Sequence, residues 1–190
     1  MALTQLREWL LAPYFENSGE NGCKKSSHAS HLSNVTCPLH RRMLVISGND
    51  DFCEAAIRSV QAFVDEVSSI SVVNFAGDTL KGKNRKQVLG SECDIATLDC
   101  RDSFKPGDVM AVAGIVKRSG CLILICPVLS EWVNNISVSF LSEGFTLKQS
   151  RYLERFIKHL RNNDYVAFHT EEKTTLPDTA MYRISQGLTS

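Results

Sequence analysis

The sequence has no excess charge of either sign and no long hydrophobic run. Lysine and arginine number 21 in 190 residues, as do aspartate and glutamate, so the net charge is zero at neutral pH. A neutral protein is not attracted as a whole to nucleic acids or anionic membranes, so a site for a polyanion has to be a local patch. No apolar run approaches the ~20 residues that a membrane-spanning helix needs, and we expect no membrane partner.

Signals for secretion are also lacking. The N-terminal segment MALTQLREWLLAPYF has no basic stretch before its apolar residues, which Arg7 and Glu8 interrupt. Seven cysteines are an odd number. Apolar neighbours predict that four of them are buried, reduced thiols rather than disulfides, as is typical of a cytoplasmic protein: Cys93, Cys100, Cys121 and Cys126.

Motifs for catalysis are missing as well. The chain contains no Ser-His-Asp arrangement, no nucleophile elbow, no pair of carboxylates at a useful spacing and no G-x-G-x-x-G. The residues by themselves therefore predict a fold without catalytic or cofactor-binding residues, and we expect no cofactor.

A partial phosphate-binding motif occurs at Gly77–Asn84, which reads GDTLKGKN. It matches G-x-x-x-x-G-K, but Asn84 stands where a P-loop carries the Ser or Thr hydroxyl that binds Mg²⁺. We interpret the segment as a solvated Gly/Lys loop. A nucleotide-binding domain with a degenerate P-loop is the alternative.

Five residues that could bind zinc lie close together in a polar segment: Cys23, His28, His31, Cys37 and His40. Their number suffices for a tetrahedral site, but no C-x-x-C pair is present and the spacing fits no standard zinc finger. We interpret the segment as a His-rich loop and assign no metal ligand.

From Arg41 onward, strand-like and helix-like segments alternate, which predicts an α/β fold with a single open, mainly parallel sheet of five strands and helices on both faces, Rossmann-like in type. The predicted strands are 43–47, 71–74, 94–98, 121–126 and 165–169. Every position of 121–126 is apolar, which favours a central strand covered on both faces.

Helical spacing predicts helices around these strands. Residues 3–11 and 148–161 each have one apolar face, and Asp51 with Glu54 resembles a capping box at the start of a helix after the first strand. A later helix begins at Pro106, with Lys117 and Arg118 in its last turn and Gly120 at its end. We divide the chain into an N-terminal helix (1–15), a polar linker expected to be poorly ordered (16–40), the α/β domain (41–170) and a polar tail (171–190).

The junction Ser47–Asp51 follows the first strand, at the sheet edge where ligands bind in open α/β folds. Its two aspartates favour helix capping over phosphate binding. Cys53, in the first turn of the next helix, is interpreted as a buried thiol rather than a nucleophile. His169 ends a strand without a visible partner.

Basic residues cluster in two places. Lys81, Lys83, Arg85 and Lys86 occupy a predicted loop, and a second group, Lys148, Arg151, Arg155, Lys158 and Arg161, recurs along one side of the last helix. Such groups are solvated faces or phosphate-contacting surfaces for RNA. The loop residues are our first candidates for RNA contact.

Several blocks identify a family resemblance: Arg41-Arg42 followed by MLVISGND, then LGSECDIATLDC, FKPGDVMAVAG, and GCLILICP with Glu131-Trp132. In this order they resemble the N-terminal domain of the tRNA(Met) cytidine acetyltransferase family, whose larger relatives are the RNA cytidine acetyltransferases of eukaryotes. The helix around Tyr152–Phe156 also fits. The resemblance covers about 130 residues.

The resemblance implies an accessory domain in tRNA processing. In that family the domain precedes a helicase-like ATPase module and an acetyltransferase module, which together transfer an acetyl group from acetyl-CoA to a cytidine. Their motifs have no match in these 190 residues. We therefore expect a non-catalytic scaffold that binds tRNA weakly and contacts the other two modules. The alternatives are a nucleotide-binding domain or a regulatory protein-interaction module.

Overall fold

The computed structural model describes residues 2–16, 40–76, 90–134 and 151–177. The described helices are α1 (Ala2–Glu16), α2 (Asp50–Asp65), α3 (Pro106–Ile115), α4 (Leu129–Trp132) and α5 (Arg151–Arg161). The strands are β1 (Arg42–Ser47), β2 (Val72–Ala76), β3 (Cys93–Asp99), β4 (Val116–Cys126), β5 (Val166–Thr170) and β6 (Thr174–Thr175).

The six strands form one sheet in the order β2-β3-β4-β1-β5-β6. The first five are parallel, and β6 pairs antiparallel with β5. The predicted α/β fold, its mainly parallel sheet and its five strands are confirmed. The sixth strand lies in the segment assigned to the polar tail and was not predicted, because two threonines give no strand pattern of their own.

Helices cover both faces of the sheet. On one face α1 and α2 pack over Leu44, Ile46 and Ile123. On the other face α3, α4 and α5 pack over Val45 and Leu124. Residues Cys121 to Cys126 are all buried, so the predicted central position of this apolar strand is confirmed. Alternate side chains of β1 and β4 thus contribute to two separate hydrophobic layers.

The helix after the first strand begins differently from the prediction. Asn49, and not Asp51, is the N-cap of α2, and its Oδ1 accepts a hydrogen bond from Phe52 N at 2.8 Å. The predicted capping box is therefore wrong. Asn49 takes this position because the helix already begins at Asp50, which places Asp50 and Asp51 in the first turn beside the positive end of the dipole.

The next predicted helix is confirmed at its start and wrong at its end. Pro106 is its first residue, but α3 ends at Ile115, and Lys117 and Arg118 belong to β4 rather than to the last helical turn. Ser119, which has a positive φ of 65°, and Gly120 both lie inside β4, where the register with β3 shifts. A Cβ on Gly120 would approach the backbone oxygen of Asp94 to 2.4 Å, so glycine is required there by close packing against β3.

Helix α1 is longer than predicted and extends to Glu16. Leu6 and Leu10 are completely buried and Trp9 is 8% exposed, so the helix belongs to the hydrophobic core beside α2. No helix in the four described ranges is long and apolar enough to cross a membrane.

Candidate functional site

Five parallel strands end at the carboxyl edge of the sheet, where open α/β folds bind ligands. β1 and β4 are neighbours there, and the chain leaves them towards opposite faces. The space between these two strand ends is bridged by Ser47, whose hydroxyl donates to Pro127 O at 2.8 Å and accepts from Leu129 N at 3.1 Å. The side chain thus joins β1 to the β4–α4 turn at the position that a ligand would use.

Arg101 lies at the same edge and binds three carboxylates. Its Nη2 is 2.7 Å from both Asp99 Oδ2 and Glu54 Oε1, and its Nη1 is 3.2 Å from Asp50 Oδ1. The hydrogen bond to Asp99 is the main reason that the pKa of Arg101 is raised above its ordinary value. The Nε, Nη1 and Nη2 groups of this arginine thus each donate to a carboxylate of the protein itself.

A further carboxylate occupies the N-terminus of α2. Glu171 Oε1 accepts a hydrogen bond from Asn49 N at 2.5 Å. A Cβ on the neighbouring Gly48 would lie 2.8 Å from Glu171 Oε1 and 2.5 Å from Phe52 Cδ1, so a larger residue there would displace both side chains. Backbone amides at a helix N-terminus are where an open α/β fold holds a phosphate, and here an internal side chain fills that place.

His169, for which the sequence indicated no partner, has one in the structure. Its Nδ1 lies 2.8 Å from Thr174 Oγ1 in β6, and its ring packs 5.1 Å from the ring of Phe52. Burial lowers the pKa of His169 below its ordinary value, which favours the neutral ring. The imidazole therefore connects β5 to β6 and α2.

Five carboxylates lie around Arg101 and the N-terminus of α2: Asp50, Asp51, Glu54, Asp99 and Glu171. Like charge at this density repels a phosphate. The geometry therefore disfavours the alternative in which this edge binds a nucleotide. The glycine-rich loop Gly77–Asn84, on which that alternative also depends, lies outside the described residues.

The cysteines of the described ranges are buried free thiols, as predicted. Burial raises the pKa of Cys53 to about 11 and that of Cys121 to about 11. It also raises the pKa of Cys93, Cys100 and Cys126. A thiol with a raised pKa is a poor nucleophile, so these side chains act as small apolar groups.

The zinc-ligand pattern lies mostly outside the described residues, which include only His40 of that set. The His40 ring lies 5.9 Å from the ring of Tyr165. Across the four described ranges no group of three or more His, Cys, Asp or Glu side chains is arranged to hold a metal ion.

The arginine pair quoted for the family resemblance has a structural role. Arg41 Nε donates to Val116 O at 2.5 Å. Arg42, only 3% exposed, donates from Nη2 to Leu10 O at 3.0 Å and from Nη1 to Trp9 O. Both residues lie at the amino end of β1, on the opposite edge of the sheet from Arg101.

Positive charge without an ion-pair partner among the described residues lies on α5. Leu153, Ile157 and Leu160 bury one side of this helix, as the predicted amphipathic pattern requires. The opposite side carries four exposed basic residues, Arg151, Arg155, Lys158 and Arg161, here called the basic stripe. None of the ion pairs within the described ranges involves them. Lys148, predicted to extend the group, lies outside those ranges.

Aromatic rings form a cluster beside the basic stripe. The rings of Tyr152 and Phe156 are nearly parallel, at 12° and 6.2 Å between centroids. Phe104 contacts both of them, and Trp132 packs edge-on against Phe104 at 5.0 Å. This cluster was not predicted from the sequence. The i, i+4 spacing of Tyr152 and Phe156 is the sequence pattern from which their contact could have been predicted.

The RNA-contact candidates Lys81, Lys83, Arg85 and Lys86 lie outside the described residues. They remain predictions. Of the two basic groups found in the sequence, only the basic stripe has a described geometry.

Comparisons with known proteins agree with the resemblance. The family model described as tRNA(Met) cytidine acetyltransferase TmcA, N-terminal, matches residues 26–170. A curated protein from Haloferax volcanii named tRNA(Met) cytidine acetyltransferase TmcA is 25% identical over 153 residues. The alignment covers 75% of this chain and 20% of that protein, so the chain spans about a fifth of the length of this relative.

Proposed function

Since the chain belongs to the family of the N-terminal domain of tRNA(Met) cytidine acetyltransferase, we propose that it is the N-terminal domain of an RNA cytidine acetyltransferase and helps to hold tRNA. The observation that carries the proposal is the basic stripe, a row of exposed cations that form no ion pair within the described ranges, on a chain of zero net charge. We propose that the domain is non-catalytic by itself and acts in the cytoplasm.

Charge distribution supports α5 as an RNA-contacting surface. The described arginines outside α5 include Arg7, Arg42 and Arg101, whose guanidinium groups bind Glu66, backbone carbonyls and carboxylates. The basic stripe has no such internal partners in the described ranges. Phosphates of a nucleic acid are suitable partners for a row of exposed arginines and lysines, and neutralising them releases counterions.

A titration of tRNA with the 190-residue chain tests this proposal. We expect weak binding that becomes weaker as salt increases. Replacing Arg151, Arg155 and Lys158 with Gln should reduce the affinity and lower the slope of log K against log salt by roughly two to three units. The same preparation, given ATP, acetyl-CoA and tRNA, should form no acetylated cytidine.

A matched control removes the same amount of charge elsewhere. Arg58, Arg118 and Lys173 are exposed and lie outside α5, and their replacement with Gln should leave the salt slope unchanged. A third variant replaces Lys81, Lys83, Arg85 and Lys86 and tests the loop predicted from the sequence. The proposal is overturned if the wild type binds no tRNA, or if the stripe variant and the control variant lose affinity equally.

We also propose a scaffold role, in which this domain packs against the ATPase and acetyltransferase modules of the same enzyme. The supporting feature is the outward side of α3. Met110 is 75% exposed there, and Gly114, one turn later, has no atom within 4 Å of an added Cβ. Helices that are apolar on both sides are usually buried on both sides. The chain spans about a fifth of its relative, and a neighbouring module is the covering partner that we propose.

A further inference from the structure

Helix α5 carries an aromatic row next to the basic stripe. Tyr152, Phe156 and His159 follow one another at intervals of four and three residues, so they lie on one side of the helix. Arg151 and Arg155, one residue before and three residues after Tyr152, flank the first ring. The basic stripe and the aromatic row therefore run in parallel along the same helix.

Tyr152 is the exposed end of a ring cluster that the core holds in place. Tyr152 is 45% exposed, whereas Trp132 at the other end of the cluster is 2% exposed. Phe104 lies 6.1 Å from Tyr152 and 5.4 Å from Phe156 between ring centroids. Leu153, Ile157 and Leu160 already anchor α5 to the core, so the exposed part of Tyr152 is not needed to hold the helix.

We propose that the exposed ring of Tyr152 stacks on the base of an unpaired RNA nucleotide while Arg151 and Arg155 bind the flanking phosphates. Every base has a π-face, so an exposed tyrosine held by other rings is a platform for it. Bases inside a duplex are already stacked on each other, whereas bases in loops and single strands can be splayed out onto aromatic side chains. The partner is therefore unpaired RNA, such as a loop or an end.

This inference rests on the proposed function, because it specifies which part of an RNA the basic stripe holds. The two proposals predict different dependences of RNA affinity on salt concentration. Phosphate contacts set the slope of affinity against salt concentration, whereas stacking on an uncharged ring changes the affinity without changing that slope.

The test uses a fluorescently labelled unpaired RNA of about twelve nucleotides, within the ~4–16 that such surfaces cover, and the same RNA annealed to its complement. Wild type should bind the unpaired form more tightly than the duplex. Tyr152→Ala should weaken binding of the unpaired RNA about tenfold with the salt slope unchanged. Tyr152→Phe, which keeps the ring and removes the hydroxyl, should restore wild-type affinity.

Tyr165 provides the matched control. It is 41% exposed, close to the value for Tyr152, and it lies outside α5, so Tyr165→Ala should bind RNA like the wild type. Urea unfolding of each variant confirms that the fold is kept, which we expect because both side chains are partly exposed.

Three results would overturn the stacking proposal: equal affinity of Tyr152→Ala and wild type, failure of Tyr152→Phe to restore binding, or duplex binding as tight as that of the unpaired RNA. If the Gln variant of the basic stripe still loses affinity in such a case, the proposed function survives without the inference. If the wild type binds neither RNA, both proposals fail.

Discussion

At the scale of single residues, a guanidinium replaces a missing helix hydrogen bond. Pro13 lies within α1 and has no N–H, so the carbonyl of Trp9, four residues earlier, has no helical donor. Arg42 supplies one from the amino end of β1, donates a second hydrogen bond to Leu10 O at 3.0 Å, and places its Cζ 4.8 Å from the Trp9 ring centroid. The buried charge is thus paired with backbone dipoles and a π-face.

We predict that Arg42→Ala lowers the free energy of unfolding by about 3 kcal/mol, since it removes charged hydrogen bonds and leaves buried carbonyls unsatisfied. The midpoint of urea unfolding measures the loss. Arg118→Ala is the control, because Arg118 is exposed, and it should change the free energy by no more than about 0.5 kcal/mol. Equal midpoints for the two variants would contradict this role of Arg42.

The burial of some residues could be predicted from the sequence, but the hydrogen-bond partners of others could not, for a physical reason. Burial of Cys121 and Cys126 follows from their immediate apolar neighbours. The partners of Arg101 could not be predicted from sequence neighbours, because Asp50 and Glu54 are 51 and 47 residues away along the chain and contact Arg101 only at the sheet edge. Likewise Arg42 meets Leu10 across 32 residues. Long-range polar contacts depend on the assembled fold and leave no local pattern.

At the scale of elements, alternation of strands and helices predicted the sheet because each segment had its own periodicity. The prediction was wrong at the boundary between α3 and β4. Lys117 and Arg118 fit the end of a helix by charge, but the pairing of Val116 with Cys93 draws these residues into β4. Tertiary pairing therefore decided the end of α3 against the local helix signal.

Gly114 and Gly120, on either side of this boundary, differ in the space that a side chain would find. A Cβ on Gly120 would meet Asp94 O at 2.4 Å, whereas a Cβ on Gly114 in α3 would meet nothing within 4 Å. We predict that Gly120→Ala destabilises the protein by more than about 2 kcal/mol, since the backbone of β3 or β4 must move to make room for the Cβ. Gly114→Ala should stabilise it by up to about 1 kcal/mol through helix propensity.

Thermal or urea unfolding of both variants beside the wild type provides the measurement. Opposite signs are the expected outcome. A Gly120→Ala protein as stable as the wild type would mean that β3 and β4 can separate locally without cost, and would contradict the close packing described for this position.

At the scale of the whole molecule, the surface divides into regions of different chemistry. The carboxyl edge is acidic and internally bonded through Arg101 and Glu171. The outer side of α5 is basic with an exposed tyrosine. The outer side of α3 is apolar around Met110. On a chain without net charge, this separation produces local patches of opposite charge.

The apolar side of α3 leads to a prediction about assembly. Val109, Val112 and Ile115 already attach this helix to the core, so Met110→Glu should leave the free energy of unfolding within about 0.5 kcal/mol of wild type. Binding to the remaining modules of the same enzyme, supplied as a separate polypeptide, should weaken at least about tenfold, because an unpaired carboxylate would be buried at the contact. Met110→Leu should bind like the wild type. Undiminished binding of Met110→Glu, measured by calorimetry, would show that the modules meet elsewhere.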